Sequence, residues 1–169
     1  MKKKSKRIAV CGVMAALGVV IMMLGAFLGV GTYLAPMLVG VCLIPVGREW
    51  GARYQILLWI AISLLCLMLV SDPEENLMFL GLFGWYPVVR PVLQKLPPVL
   101  RGIVKLLLFN VAVIALELLV LLVLAPESIG TALTVLLLVL GNVTFFVYDL
   151  VIPRFEILIF KFWKQIFRL

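Results

Sequence analysis

The chain has 169 residues, 65% of them hydrophobic and only 14% charged, with 15 Lys and Arg against 8 Asp and Glu. Soluble domains run at about 45–50% apolar and about 25% charged residues. The composition therefore excludes a water-soluble globule and indicates an all-α polytopic membrane protein. The formal charge of +7 then reports membrane sidedness rather than affinity for nucleic acid.

A basic leader, residues 1–7, precedes six apolar stretches at about 8–30, 33–47, 54–70, 76–89, 101–125 and 128–152. Together they define a compact six-helix transmembrane domain over residues 8–153. Four reach the roughly 17–25 residues that cross a bilayer. The second, with Pro36, and the fourth, with Gly81, Gly84 and Pro87, are short and interrupted. Such helices are tolerated where protein or a cavity surrounds the freed backbone groups, which suits a binding protein and a structural bundle alike. The first stretch is longer than a signal-peptide core and lacks an A-x-A cleavage site, so a retained helix is expected.

The charges support six spans. Lys2, Lys3, Lys4, Lys6 and Arg7 precede the first. Arg48 and Arg53 fall in the loop after the second, and Arg90, Lys95, Arg101 and Lys105 follow the fourth. Arg154, Lys161, Lys164 and Arg168 follow the sixth. All lie on one side, while Asp72, Glu74, Glu75 and Glu127 occupy the opposite loops. The positive-inside rule places both termini in the cytoplasm; five or seven spans would destroy the separation.

Residues 154–169 form a further element. Pro153 is expected to end the sixth helix and begin a new one. On a helix, Arg154, Lys161, Lys164, Gln165 and Arg168 share an arc about 100° wide, with Phe155, Leu158, Phe160, Phe162, Trp163, Ile166 and Phe167 around the rest. This pattern fits an interfacial amphipathic helix on membrane lipid, or one seated in a partner's groove.

Glu117 is the costliest side chain within the spans. An ionised carboxylate at helix centre costs about 2.5–3.5 kcal/mol on insertion scales. Asn110 precedes it by seven residues on the same face, and Asn142 and Asp149 repeat that spacing in the sixth stretch. Antiparallel neighbours bring Asn110 level with Asn142. The fifth and sixth helices then enclose either a polar pocket, with Thr131, Thr134 and Thr144 adding hydroxyls, or interhelical hydrogen bonds that serve packing alone. In the pocket reading Glu117 holds a substrate amine, hydroxyl or proton. Asp149, near the basic boundary, is expected to pair with Arg154 or a neighbour. Trp85-Tyr86 reads as an interfacial aromatic belt, and Tyr33 as a cover for an outward pocket or another belt residue.

Small residues mark the first helix. Ala9, Gly12, Ala15 and Ala16 cluster in its cytoplasmic half, and Gly25-x-x-x-Gly29 repeats the spacing near the outer end. Both permit close backbone approach, inside the bundle or to another subunit.

Metal and catalytic signatures are missing. Without histidine, a His/Cys zinc site and a Ser/His arrangement are not expected. Cys11, Cys42 and Cys66 lie in apolar runs without a CxxC pair, as buried structural thiols do. No P-loop motif is present. Neither an enzyme nor a cofactor is expected, and so short a chain without an inverted repeat makes an awkward self-sufficient carrier.

The stretch Lys6-Arg7-Ile8-Ala9-Val10-Cys11-Gly12-Val13-Met14-Ala15-Ala16-Leu17 resembles the start of the S components of energy-coupling factor (ECF) transporters. Here Gly12-x-x-x-Ala16 stands in place of the family's Ala-x-x-x-Ala. Length, span number and sidedness are also similar. The resemblance implies a substrate-binding subunit of a bacterial-type cell membrane, taking up a vitamin or precursor. Gly12, Ala15 and Ala16 would pack on a transmembrane coupling subunit, and two ATPase subunits on separate chains would supply energy. The small molecule would lie between the outer loops and later helices, near Glu117, Thr134, Asn110, Asn142 and Tyr33. The alternative is a non-transporting scaffold or accessory subunit, whose polar groups would satisfy one another.

Overall fold

The computed structural model describes residues 2–29, 33–123 and 131–167, without the side chains of 2–4, 117, 120–123, 131–138, 140, 162, 164, 166 and 167. All described secondary structure is helical. Three helical segments are long and apolar enough to cross a membrane, Ser5–Leu28, Ala52–Leu69 and Pro98–Leu116. The chain is a helical membrane protein.

Helix α1, Lys2–Leu28, is an unbroken apolar run without proline. It ends at Gly29, whose φ of 64° supplies the left-handed residue that commonly closes a helix. Helix α2, Leu34–Cys42, carries Pro36 in its first turn, where no amide donor is needed. Pro36 therefore does not interrupt the second stretch. That stretch divides at Leu43 and continues as α3, Ile44–Trp50. Gly51, at φ 94°, then turns the chain into α4, Ala52–Leu69, so Arg48 and Arg53 belong to helix ends rather than to a loop.

Asp72 starts the next element. Its carboxylate accepts hydrogen bonds from the amides of Glu74, at 2.9 Å, and Glu75, at 3.3 Å, an N-cap followed by proline at the first helical position. Helix α5, Pro73–Met78, runs into a π-helical turn, Phe79–Phe83. The Gly84 amide there reaches back to the Phe79 carbonyl at 2.9 Å. Helix α6 is Tyr86–Leu93, α7 is Pro98–Val123 and α8 is Thr131–Phe167.

Pro153 does not end α8, which runs through it to Phe167. A helix-interior proline removes one hydrogen bond and is disfavoured, but the 37-residue helix retains its other bonds.

The chain divides into two compact units, residues 1–88 with 155–169, and residues 89–154. In the first, α1, α2 and α4 pack around Met22, Val39, Leu43, Ile62, Cys66 and Phe79. Trp163 joins this core and meets Trp50 edge-on at 5.7 Å. Arg48 pairs with Glu156 at 2.5 Å. The tail is thus seated in part on its own unit through Trp163, while Phe155, Ile157 and Leu158 remain exposed. In the second unit, Phe109 of α7 stacks on Phe145 of α8 at 4.6 Å.

Candidate functional site

The first unit contains a line of buried polar atoms without hydrogen-bond partners. Residues four apart on a helix share a face, so Gln55, Trp59 and Ser63 form one row along α4, spanning about 12 Å at 1.5 Å per residue. Gln55 Nε2, Trp59 Nε1 and Ser63 Oγ are all buried and unpartnered. At the start of α5, both carboxylate oxygens of Glu75 and Asn76 Oδ1 are in the same condition. Buried polar groups are normally satisfied, and each exception calls for a reason.

Glycines make room for this row. A Cβ at Gly47 would collide with the Gln55 amide, and one at Gly84 with the Trp59 indole. A Cβ at Gly25 would lie 2.7 Å from Glu75 Oε1 and 2.5 Å from Ala35 Cβ. Gly25 is therefore an internal packing position against α2 and α5, and Gly29 a helix terminator. The pair is not one continuous docking stripe.

Glu75 is fully buried, at 0% exposure. It belongs to α5 rather than to a loop, which corrects its placement with Asp72, Glu74 and Glu127 in the loops opposite the cations. As the third residue after the Asp72 cap's proline-led start, it occupies the position where a capping-box glutamate reaches back to the cap amide. Its carboxylate instead enters the packing of α1, α2 and α4. Burial, and next the Asp72 charge, push its pKa up to about 7. The neighbouring Asn76 uses its amide nitrogen on the Val70 carbonyl at 3.1 Å, which fixes its side chain.

An open cleft of about 410 Å³ lies between Met23, Ala26 and Phe27 of α1 and residues 69–72. Asp72 is its acidic member, and Glu75 is not among its walls.

The second unit holds the other polar cluster, in which Asn110, Asn142 and Asp149 all have side-chain partners. Asn110 and Asn142 exchange two amide hydrogen bonds, each 3.0 Å long, at the level that antiparallel helices require. Asp149 pairs with Arg90 at 3.1 Å and Lys105 at 2.5 Å. Of the expected partners, Arg154 or a neighbouring cation, it is the neighbours Arg90 of α6 and Lys105 of α7 that pair with it.

Gly12 and Ala16 lie on the exposed side of α1, Ala15 is half-buried against the core, and a Cβ at Gly12 would meet nothing within 4 Å. Tyr33 is 46% exposed beside the start of α2. Tyr86 is completely buried, because it opens α6 on the core side, so it is not a belt residue. The Trp85 indole donates to the Gly81 carbonyl at 2.6 Å. The side chains of Glu117 and Thr134 lie outside the described residues, as does Glu127.

Sequence reading missed Glu75, Asn76 and the Gln55–Trp59–Ser63 row. The i, i+4, i+8 spacing of the row was a usable signal; the inward turn of Glu75 depends on Gly25 and Ala35, which are distant in sequence. Among the described residues, no three Cys, Asp or Glu side chains gather as a metal site. Comparison with family models, curated proteins and solved structures finds no match to this chain.

Proposed function

We propose that the chain is a substrate-binding membrane subunit resembling an ECF transporter S component, which captures a small molecule for uptake driven by separate ATPase subunits. The observation that carries this reading is Glu75, fully buried with two oxygens that accept no hydrogen bond. A carboxylate in that condition is costly unless a ligand or proton completes it. The π-helical turn just after it belongs to a class of distortion frequent at functional sites.

Two further features support the reading. The outward side of α1 at Gly12 and Ala16 leaves backbone open to a coupling subunit, where small residues allow close helix approach. A six-span arrangement would confine all cations to one side and, by the positive-inside rule, would put both termini in the cytoplasm, on the side where ATPase subunits would work. The scaffold reading draws on the second unit, whose amides and ions satisfy one another.

The test is purification in mild detergent, with native mass spectrometry for retained small molecules and pull-down for ATPase partners. The proposed function requires a ligand on the wild type and its loss in Glu75→Gln. An empty wild type without ATPase partners, its polar row intact, would establish the scaffold reading instead.

A further inference from the structure

One end of the first unit gathers cations and aromatic rings from α1, the α3–α4 corner and the tail. Arg7 of α1 lies over the Tyr54 ring of α4 at 5.8 Å. Tyr54 meets Trp50 of α3 at 6.3 Å, and Trp50 meets Trp163 of the tail. Arg48 of α3 lies over the tail's Phe160 at 5.9 Å as well as pairing with Glu156. This chain of contacts makes one surface of the three segments. Its depth follows from the spans. Ser5–Leu28 and Ala52–Leu69 both begin here, so Arg7 and Arg53 stand in the first turn of each, at the level of phospholipid headgroups. Trp and Tyr favour that level, and Arg and Lys there extend their charged heads toward water.

Charge selects the partner. Among the described residues this surface carries Lys6, Arg7, Arg48, Arg53 and Lys161 against Glu49 and Glu156, and Glu156 is already paired with Arg48. Arg53 and Lys161 are exposed. Exposed aliphatic side chains accompany the cations: Ile8 follows Arg7, while Leu57 and Ile157 lie four residues from Arg53 and Lys161 on the same helix faces. A soluble anion or a nucleic acid answers the cations but not these aliphatic neighbours. A phospholipid answers both, with its phosphate and its acyl chains. A zwitterionic headgroup brings a cation of its own, whereas an anionic one matches the surplus positive charge. We infer that this face binds the phosphate headgroup of an anionic phospholipid, whose acyl chains run along the apolar sides of α1 and α4.

The experiment uses the full-length protein in mild detergent, titrated with dioleoylphosphatidylglycerol or dioleoylphosphatidylcholine and read by native mass spectrometry. One cation near an anionic lipid surface strengthens attraction about fivefold, so the phosphatidylglycerol should bind about tenfold tighter or more. Combining Arg7→Gln, Arg53→Gln and Lys161→Gln should erase that preference. Arg53→Lys should keep it, as should Lys95→Gln, which removes an exposed cation of the second unit. Should the combined variant fail to fold, Arg53→Gln alone should weaken phosphatidylglycerol binding about fivefold. Equal affinity for the two lipids, a preference that survives removal of the cations, or one lost equally in Lys95→Gln would overturn the assignment. Displacement of the lipid by equimolar glycerol 1-phosphate or by a single-stranded oligonucleotide would also overturn it, giving the face to a soluble phosphate or a nucleic acid.

Discussion

The two units of the chain treat their polar groups in opposite ways. In residues 89–154, Asn110 and Asn142 pair through both amide bonds, and Asp149 forms ion pairs with Arg90 and Lys105. In residues 1–88, Gln55, Trp59, Ser63, Glu75 and Asn76 keep buried polar atoms unpartnered. Hydrogen bonds between membrane helices average only about 0.6 kcal/mol, so the paired asparagines do the work of register and packing. The unpartnered row instead leaves the desolvation cost of those groups uncompensated within its unit. Polarity within a span does not by itself indicate function; incomplete polarity is the more informative feature.

The ion cluster provides the largest test of this contrast. Asp149→Asn leaves Arg90 and Lys105 facing each other with side chains only 10% and 12% exposed. Breaking a buried pair costs about 3–5 kcal/mol, so thermal unfolding in detergent should show a loss toward the lower end of that range. A neutral result would remove the second unit's claim to structural pairing.

Glu75 gives the opposite response. Its folded-state pKa is raised from 4.5 to about 7, so between those values the folded protein holds a proton that the unfolded chain has released. The slope of stability with pH is then negative: stability is full below pH 4.5 and falls as pH rises through 7. The loss is on the order of 3 kcal/mol. The titratable groups that act on it are Asp72 at the helix cap and Cys66 of α4, and Gly25 of α1 lies against its carboxylate. Denaturation across pH 5 to 8 should show this decline in wild type and a flatter profile in Glu75→Gln.

Packing around Glu75 is the next measure. Gly25→Ala places a methyl against Ala35 and Glu75 and should cost about 1–3 kcal/mol by overpacking. Gly12→Ala meets open space and should be neutral or stabilise by up to about 1 kcal/mol through helix propensity. Equal effects in thermal unfolding would erase the distinction between the inner and outer sides of α1.

The smallest effect belongs to the amide pair. A double-mutant cycle of Asn110→Leu and Asn142→Leu should return a coupling near 0.6 kcal/mol, with the double variant less destabilised than the singles predict. Zero coupling would mean that the two amides do not meet.

These contrasts also mark what could be read before folding. The long apolar runs that became α1, α4 and α7 were evident from length alone, and the seven-residue spacing carried Asn110 to Asn142 because both periodicities are local. The course of α8 through Pro153 and the burial of Tyr86 were not evident, since the packing of Trp163 and the α6 start overrides local punctuation. Glu75 was hidden for a related reason. Asp72-Pro73-Glu74-Glu75 reads as a solvated helix start, and only the packing of Gly25 and Ala35 turns the third acid inward.

The most direct measurement is infrared titration of the Glu75 carboxyl in nanodiscs, assigned by subtracting the Glu75→Gln spectrum. A buried, unpartnered acid should show a protonated carboxyl band that disappears with a midpoint near pH 7. A carboxylate already ionised at pH 5.5 without ligand would contradict the site, because Glu75 would then be solvated or paired with a cation of its own chain.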